Sequence, residues 1–161
     1  MAGGASGDRI RAFAAEAVSA APLPDGAGGR LVAVGWATVE LERAVAQLAA
    51  AFDATPAIFV DAAGSAALGA RCLVADGVLD DALLLAVLEP STEGRTAAGL
   101  ARWDEGPLVT WYAASSAPNQ ASEPGHPWLP GPFGPERLVG GDPLTGPHRL
   151  LVRVGTGTIA T

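Results

Sequence analysis

The sequence predicts an α+β fold, in which a βαβββ module precedes a second, shorter unit of strands. Three observations support this prediction. The run "LVAVGWATV" from Leu31 is apolar throughout and lies between glycines and acidic residues, as is typical of a strand buried on both faces. The next segment, "ELERAVAQLAAAF", carries its large apolar residues at the spacing of a helix that lies on a sheet. Three further apolar runs follow, separated by turn-rich segments.

The composition limits the classes of protein to which the chain can belong. Its 161 residues fit one domain with a core, and 49% of them are hydrophobic. The net charge is −7, and all ten basic residues are arginine, which argues against nucleic acid or an anionic membrane as a partner. A single cysteine excludes an intrachain disulfide, and the first residues lack the pattern of a secretory signal. We therefore expect a cytoplasmic protein.

The first half of the chain is predicted to contain two helices and four strands. An amphipathic helix from Asp8 to Ala20 has Asp8 as its cap and Ile10 and Phe13 on its apolar face. After the first strand and its helix, the strand candidates are "AIFV", "LGARCLVA" and "ALLLAVLEP", with "DAAGSA" and "DGVLDD" as turns. Pro90 ends the last of these strands.

The second half begins with another helix, which Ser91 or Thr92 can cap. The run "DEGPLVTWYA" then opens a new strand. Residues 115–134 are dense in proline and glycine and predict a long surface loop. The last strand candidates are "ERLVG" and "HRLLVRVG".

These elements divide the chain into three parts. Residues 1–22 form an N-terminal helix and linker, and residues 31–90 form the first βαβββ module. Residues 91–161 form a connecting helix and a shortened second module that includes the loop 115–134.

Three motifs connect this order of elements to a known family: "VGWATVELERA", "LLAVLEP" and "ARWDEGPLVTWYA". In their order and spacing they resemble the vicinal oxygen chelate superfamily, which includes glyoxalase I, methylmalonyl-CoA epimerase and the bleomycin-resistance proteins. The resemblance covers roughly Leu31 to Arg153. It implies a curved mixed sheet, the glyoxalase-like open barrel, with the second module one strand short.

The resemblance also implies a position for a metal site. Enzymes of this superfamily usually hold a divalent metal ion with His, Glu or Gln from the first and last strands of both modules. The matching positions here are Ala33 or Val34, the vicinity of Ala86, and Val109 or Thr110. A metal site needs several convergent N, O or S donors, so we expect neither a metal ion nor another cofactor.

Other potentially reactive side chains have ordinary interpretations. We expect His126 and His148 to be solvated, because two histidines in a loop and at a strand entrance do not make a metal site. Cys72 lies in an apolar strand and is expected to be a small buried side chain.

Glu89 and Arg95 flank the corner where the fourth strand leads into a helix. They can form a surface ion pair or a cap contact, which contributes at most about 1 kcal/mol. Alternatively, Glu89 is a general base at the mouth of a cleft, and Arg95 contacts the ligand there.

Trp36, Thr38, Trp111 and Tyr112 are the candidates for the wall of a cleft. Large aromatic side chains in central strands are often plain core. If the sheet curls, however, Trp36 and Thr38 share one face, and Trp111 lies on the equivalent face of the second module. We therefore expect a common apolar cavity with a few polar groups, as in small-molecule sites.

The sequence thus favours a metal-free protein that binds a small apolar or aromatic molecule in a sheet-lined cleft. One alternative is a metal-free isomerase or lyase that uses a carboxylate base, and another is a structural partner subunit. The missing strand predicts an unpaired sheet edge, and we expect a homodimer to cover it. The alternative is that the N-terminal helix, through Ile10 and Phe13, covers this edge within one chain.

Overall fold

The computed structural model describes residues 2–20, 28–80, 82–114, 127–139 and 144–153. In these residues three α-helices and a short 3-10 turn accompany a single mixed sheet of seven strands. The helices are α1 (Ala2–Ser19), α2 (Leu41–Ala51) and α3 (Arg95–Trp103), and the turn is Pro56–Ile58. The strands are β1 (Gly28–Ala37), β2 (Val60–Ser65), β3 (Ala70–Ala75), β4 (Leu84–Pro90), β5 (Gly106–Ala114), β6 (Glu136–Leu138) and β7 (His148–Val152).

The strand order β2-β3-β4-β1-β5-β7-β6 contains two related modules. In the first, β1 pairs with β4 in parallel, and β3 and β2 follow in antiparallel. In the second, β5 pairs with β7 in parallel, and β6 follows in antiparallel. The antiparallel pair β1–β5 joins the two modules. The predicted α+β fold with a βαβββ module is confirmed, and the described part of the second module contains three strands.

The two faces of the sheet pack against different parts of the chain. The outer face carries Val34, Trp36, Leu85 and Val87, which form one buried cluster with apolar residues of α1 and α2. Ile10 of α1 is fully buried in this cluster. The first helix therefore packs on α2, β1 and β5 and does not cover the sheet edge, the other position considered for it.

The inner face of the sheet carries a second buried cluster. Because side chains alternate along a strand, residues next to those of the outer face point inward. The members of the inner cluster in the central strands are Ala33, Ala86, Leu88, Val109, Trp111, Leu150 and Val152. Several of them have no exposed surface, so this face is the closed interior of the curled sheet.

The sheet curls until its two edges meet. Ser65 at the end of β2 and Glu136 at the start of β6 belong to opposite edge strands, yet the Ser65 hydroxyl donates a hydrogen bond to the Glu136 carboxylate. Beside this contact, the Ala66 amide donates to the Pro130 carbonyl at 3.0 Å. We call these two contacts the edge clasp. The clasp partly closes the barrel within one chain.

Several boundaries differ from the sequence prediction. The first helix begins at Ala2, so Asp8 lies inside it and pairs with Arg11 at 3.5 Å instead of capping the helix. The first two residues of the predicted strand "AIFV" belong to the 3-10 turn, and the strand begins only at Val60, the last of the four, and continues as "VDAAGS". An edge strand with mostly exposed side chains carries little apolar signal, which explains this error.

The start of the connecting helix also differs from the prediction, and the predicted loop 115–134 is described only in part. Helix α3 is preceded by Gly94 in extended conformation and has no side-chain cap, so neither Ser91 nor Thr92 caps it. Most of the predicted loop lies outside the described residues, while residues 127–134 contain only isolated bridges. None of the described helices combines the length and the apolarity needed to cross a membrane.

Candidate ligand-binding site

The structure separates the two tryptophans that were predicted to line one cavity. Trp36 is 4% exposed and belongs to the helix-covered outer cluster, where the Arg9 guanidinium lies 5.2 Å from its ring centroid. Trp111 has no exposed surface and belongs to the inner cluster. The prediction of a common cavity is therefore wrong. Both residues come from central strands, but the register of β1 and β5 places their side chains on opposite faces.

Thr38 lies at a polar corner where β1 leads into α2. Its hydroxyl hydrogen-bonds the Glu105 carboxylate, which also binds the Arg43 guanidinium at 2.5 Å and the Val39 amide at 3.1 Å. Burial raises the pKa of the Glu105 carboxyl, but these hydrogen bonds outweigh it, so the pKa lies below its usual value. Through its hydrogen bond to Glu105, Thr38 joins the residues just before α2 to those just before β5 and so stabilises this corner of the fold.

Glu89 faces the helix side of the sheet. Its carboxylate accepts a hydrogen bond from the Leu41 amide, the first residue of α2, at 2.7 Å. A carboxylate at this position satisfies an unpaired amide and interacts favourably with the helix dipole. The contact corresponds to the cap alternative, although the helix is α2 and not the one that contains Arg95. Arg95 is half-buried at the start of α3.

Tyr112 lies in a small cluster on the outer face of the second module. Together with Trp128 it packs, half-buried, against Val139 and Leu151. The described residues place no helix of the second module over this cluster. Tyr112 and Trp111 are neighbours in β5 and therefore point to opposite sides of the sheet.

A buried carboxylate on the inner face is the chemically most distinctive feature of the described residues. Glu136 has no exposed surface. It accepts hydrogen bonds from the Ser65 hydroxyl and, at 2.9 Å, from Trp111 Nε1. Burial raises the pKa of Glu136 to about 6, although the hydrogen bonds from Ser65 and Trp111 act in the opposite direction. We call Ser65, Trp111 and Glu136 the inner carboxylate cluster.

Two close contacts surround this cluster. The Phe133 ring meets Trp111 edge-on, with the ring centroids 5.0 Å apart. A side chain at Gly131 would overlap the Glu136 carboxylate. The segment that contains Gly131 and Phe133 therefore covers the carboxylate directly and separates it from solvent.

The positions on the inner face that the resemblance assigns to metal ligands carry no donor side chains. Ala33, Ala86 and Val109 stand on this face, and none of them can coordinate a metal ion. Among the described residues no group of three His, Cys, Asp or Glu side chains is arranged to hold a metal ion. The residues present therefore do not fit the metal that the resemblance implies.

Two other side chains that could bind a metal ion, Cys72 and His148, are also buried. Cys72 is buried as predicted, and burial raises the pKa of its thiol to about 12. His148 is also buried, so the expectation that it is solvated is wrong, while His126 lies outside the described residues. The strand β7 turns His148 to the same side as Leu150, toward the interior.

An open groove lies at the edge of the sheet, over the segment that covers Glu136. Its volume is about 410 Å³, within the usual range for small-molecule sites. We call it the edge groove, and its lining residues are Trp128, Leu129, Pro130, Gly131, Gly134 and Pro135. A second cavity, between α1 and the side chains of Val78, Leu79 and Leu83, has a volume of only about 120 Å³. The edge groove is therefore the better candidate for a ligand.

Comparison with solved structures identifies the fold. A variant of methylmalonyl-CoA epimerase from Streptomyces coelicolor, in complex with 2-nitronate-propionyl-CoA, matches at a TM-score of 0.59 and 18% identity, over 80% of this chain and 99% of that one. The chain has the vicinal oxygen chelate fold. Methylmalonyl-CoA epimerase from Mycobacterium tuberculosis matches at a TM-score of 0.58 and 14% identity, over 78% of this chain and 87% of that one. No protein-family model and no curated protein matches the sequence.

Sequence reasoning missed Glu136 as a site residue. The signal available was a glutamate at the first position of the apolar strand candidate "ERLVG", beside a proline and glycine-rich segment. A charged residue at the end of a strand is usually solvated, so no local pattern indicates that Glu136 lies in the interior. Only the curl of the sheet brings this position against Ser65 of the opposite edge.

Proposed function

We propose that the protein binds a small apolar or aromatic molecule in the edge groove and does so without a metal ion. The observation that carries this proposal is the groove of about 410 Å³, lined by Trp128, Leu129 and two prolines. Aromatic and aliphatic side chains with few polar groups are the usual lining of a ligand pocket. The predicted cleft of the inner face is an unsuitable location because apolar side chains and the edge clasp fill and close it.

The metal-free character follows from the donor set. At the positions that hold a metal ion in enzymes of the superfamily that the sequence resembles, this chain carries Ala33 or Val34, the vicinity of Ala86, and Val109 or Thr110. Binding in the edge groove needs no such ion, because burial of apolar surface contributes about 25 cal/mol per Å² by itself. We further propose, from the composition, that the protein acts in the cytoplasm and does not bind nucleic acid or membranes.

A thermal denaturation experiment tests the site. The uncharged probes 1-octanol and benzyl alcohol are expected to raise the melting temperature, since a ligand at about 100 times its dissociation constant adds about 2.7 kcal/mol. Leu129→Glu places a charge in the groove and should weaken binding at least about tenfold, because a desolvated charge without a partner is costly. Leu144→Glu is the matched control, since Leu144 is 61% exposed and does not line the groove. Equal binding by both variants would contradict the proposal.

A second candidate function is proton transfer by Glu136, which replaces Glu89 as the candidate base. The specific observation in its favour is a buried carboxylate with a raised pKa of about 6, hydrogen-bonded to Ser65 and Trp111. A base with a pKa near the working pH suits proton abstraction. The segment around Gly131 would have to move aside to admit a substrate, because Glu136 has no exposed surface.

Isotope exchange separates this candidate from simple binding. Because the two epimerases share the fold, 2-nitronate-propionyl-CoA is a suitable probe for binding, and methylmalonyl-CoA is a suitable substrate for exchange in deuterated water. Catalysis predicts deuterium incorporation that disappears in Glu136→Gln and persists in Glu89→Gln. Binding of the probe without any exchange would reject the enzymatic candidate and leave the binding function intact.

A further inference from the structure

Two arginines, Arg137 and Arg153, contact Trp128, one of the residues that line the edge groove. Arg137 belongs to β6 and pairs with Leu151 of β7, so Arg153, two residues further on, is its diagonal neighbour on the same face of the sheet. Both guanidinium groups contact the Trp128 ring, at 5.1 Å for Arg137 and 4.3 Å for Arg153 from the ring centroid. Trp128 is therefore shared between the two cations and the groove.

Neither arginine is neutralised by a carboxylate of another described residue. The four ion pairs found within the described ranges involve Arg11, Arg43 and Arg71. Glu136 is adjacent to Arg137 in sequence, but its side chain points to the opposite face and is held by Ser65 and Trp111. Both guanidinium groups carry a positive charge and contact the same ring, so an anion bound beside them would be attracted to both. Such a pair is unexpected on a chain whose net charge is −7.

Backbone contacts connect Arg153 to the residues that line the groove. The Arg153 amide donates a hydrogen bond to the Pro135 carbonyl at 2.9 Å, and Pro135 lines the groove. A side chain at Gly134 would come within 3.0 Å of the Arg153 carbonyl. The backbone that carries the Arg153 side chain is thus in direct contact with the wall of the groove.

We infer that the edge groove binds an amphipathic organic anion. The apolar body of the ligand lies along Leu129 and Pro130, and its carboxylate or phosphate head lies against Arg137 and Arg153. The guanidinium group presents a planar set of donors that matches both kinds of head group. This inference rests on the proposed function, because the same groove holds the apolar body.

Calorimetric titration with matched probes tests the inference. The probes are octanoate, octyl phosphate and 1-octanol, which share a chain and differ in the head group. The variants are Arg137→Gln and Arg153→Gln. The control is Arg102→Gln, because Arg102 also stacks on a tryptophan, 4.5 Å from the Trp103 centroid, but on α3 and away from the groove.

The anions are expected to bind at least about tenfold more tightly than octanol, since hydrogen bonds to charged groups are the strong ones. Either groove variant should lose about tenfold in affinity for the anions and keep its affinity for octanol, while the Arg102 variant binds like the wild type. The relative affinity for octanoate and octyl phosphate identifies the head group. Circular dichroism of each variant checks that the fold is retained.

Three other outcomes overturn one or both proposals. If octanol binds as tightly as the anions in every variant, the anionic head is wrong and the groove remains the ligand site. If binding depends on the arginines but butyl and octyl phosphate bind equally, the anion site stands and the groove does not hold an apolar body. If the groove does hold the apolar body, each added methylene group is expected to raise the affinity about two- to fourfold. If no probe binds the wild-type protein, both proposals are wrong.

Discussion

Replacing Glu136 by glutamine should change how the stability of the protein depends on pH. The folded protein holds this carboxyl group in the interior, where burial raises its pKa from 4.5 to about 6. The folded state therefore binds the proton more tightly than the unfolded state. The resulting stabilisation is fully present below the unfolded pKa and is lost as the pH rises through about 6. Glutamine does not titrate, so the variant lacks this contribution.

The magnitude follows from the size of the shift. A difference of about 1.5 pKa units corresponds to about 2 kcal/mol, at about 1.4 kcal/mol per unit. The free energy of unfolding of Glu136→Gln, minus that of the wild type, should therefore increase by about 2 kcal/mol between about pH 4 and pH 7. Any constant effect of the substitution on packing cancels in this comparison. The opposite contribution of Glu105, whose pKa is lowered, is present in both proteins and also cancels.

Urea unfolding at a series of pH values measures this quantity, with tryptophan fluorescence as the signal because Trp111 lies beside the carboxylate. Glu93→Gln removes a carboxylate from an exposed position and provides the baseline. A difference between Glu136→Gln and the wild type that stays constant from pH 4 to pH 7 would refute the reasoning, since Glu136 would then titrate alike in the folded and unfolded states.

Four further predictions concern individual contacts, metal content and assembly. Glu89→Ala should lower the free energy of unfolding by about 1 kcal/mol, because the Leu41 amide loses its acceptor; an unchanged urea midpoint would show that the cap is dispensable. Gly131→Ala should destabilise the protein by about 1 to 3 kcal/mol through overlap with Glu136, and Glu136→Ala in the same chain should restore part of the loss unless the strain lies elsewhere. Elemental analysis after dialysis should find no stoichiometric metal, and about one zinc, iron or manganese per chain would reject metal independence. Sedimentation equilibrium should give a homodimer that buries at least about 1,200 Å², and a single-chain mass at micromolar concentration would reject it.

Much of the fold could be predicted from the sequence because the relevant elements carry strong local patterns. The strand that contains Trp36 is apolar throughout, and the helix that follows it has a regular stripe ending near Phe52. The edge strand β2 was placed one segment too early because most of its side chains are exposed, so its residues resemble a turn. Periodicity gives little signal where most side chains of an element are exposed, whichever face they lie on.

The candidate site was less predictable because it depends on contacts between distant parts of the chain. Glu136 and Ser65 are 71 positions apart, and only the closure of the sheet makes them neighbours. Trp36 and Trp111 were assigned to one cavity from their similar places in two modules. Their strands are antiparallel and the register shifts near Trp36, so similar depth along each strand does not imply a common face.

The edge clasp and the edge groove are physically one structure. Burial of the Glu136 carboxylate opposes folding at neutral pH, yet the same group joins the two edges of the sheet at one point and so partly covers strand edges that would invite association. Gly131 lies against that carboxylate on one side and lines the groove on the other. A dimer that pairs edge to edge at the end of β2 or at the start of β6 would have to break the Ser65 contact. A homodimer that leaves the clasp intact must therefore use another surface, and any substitution that opens the clasp must also deform the groove.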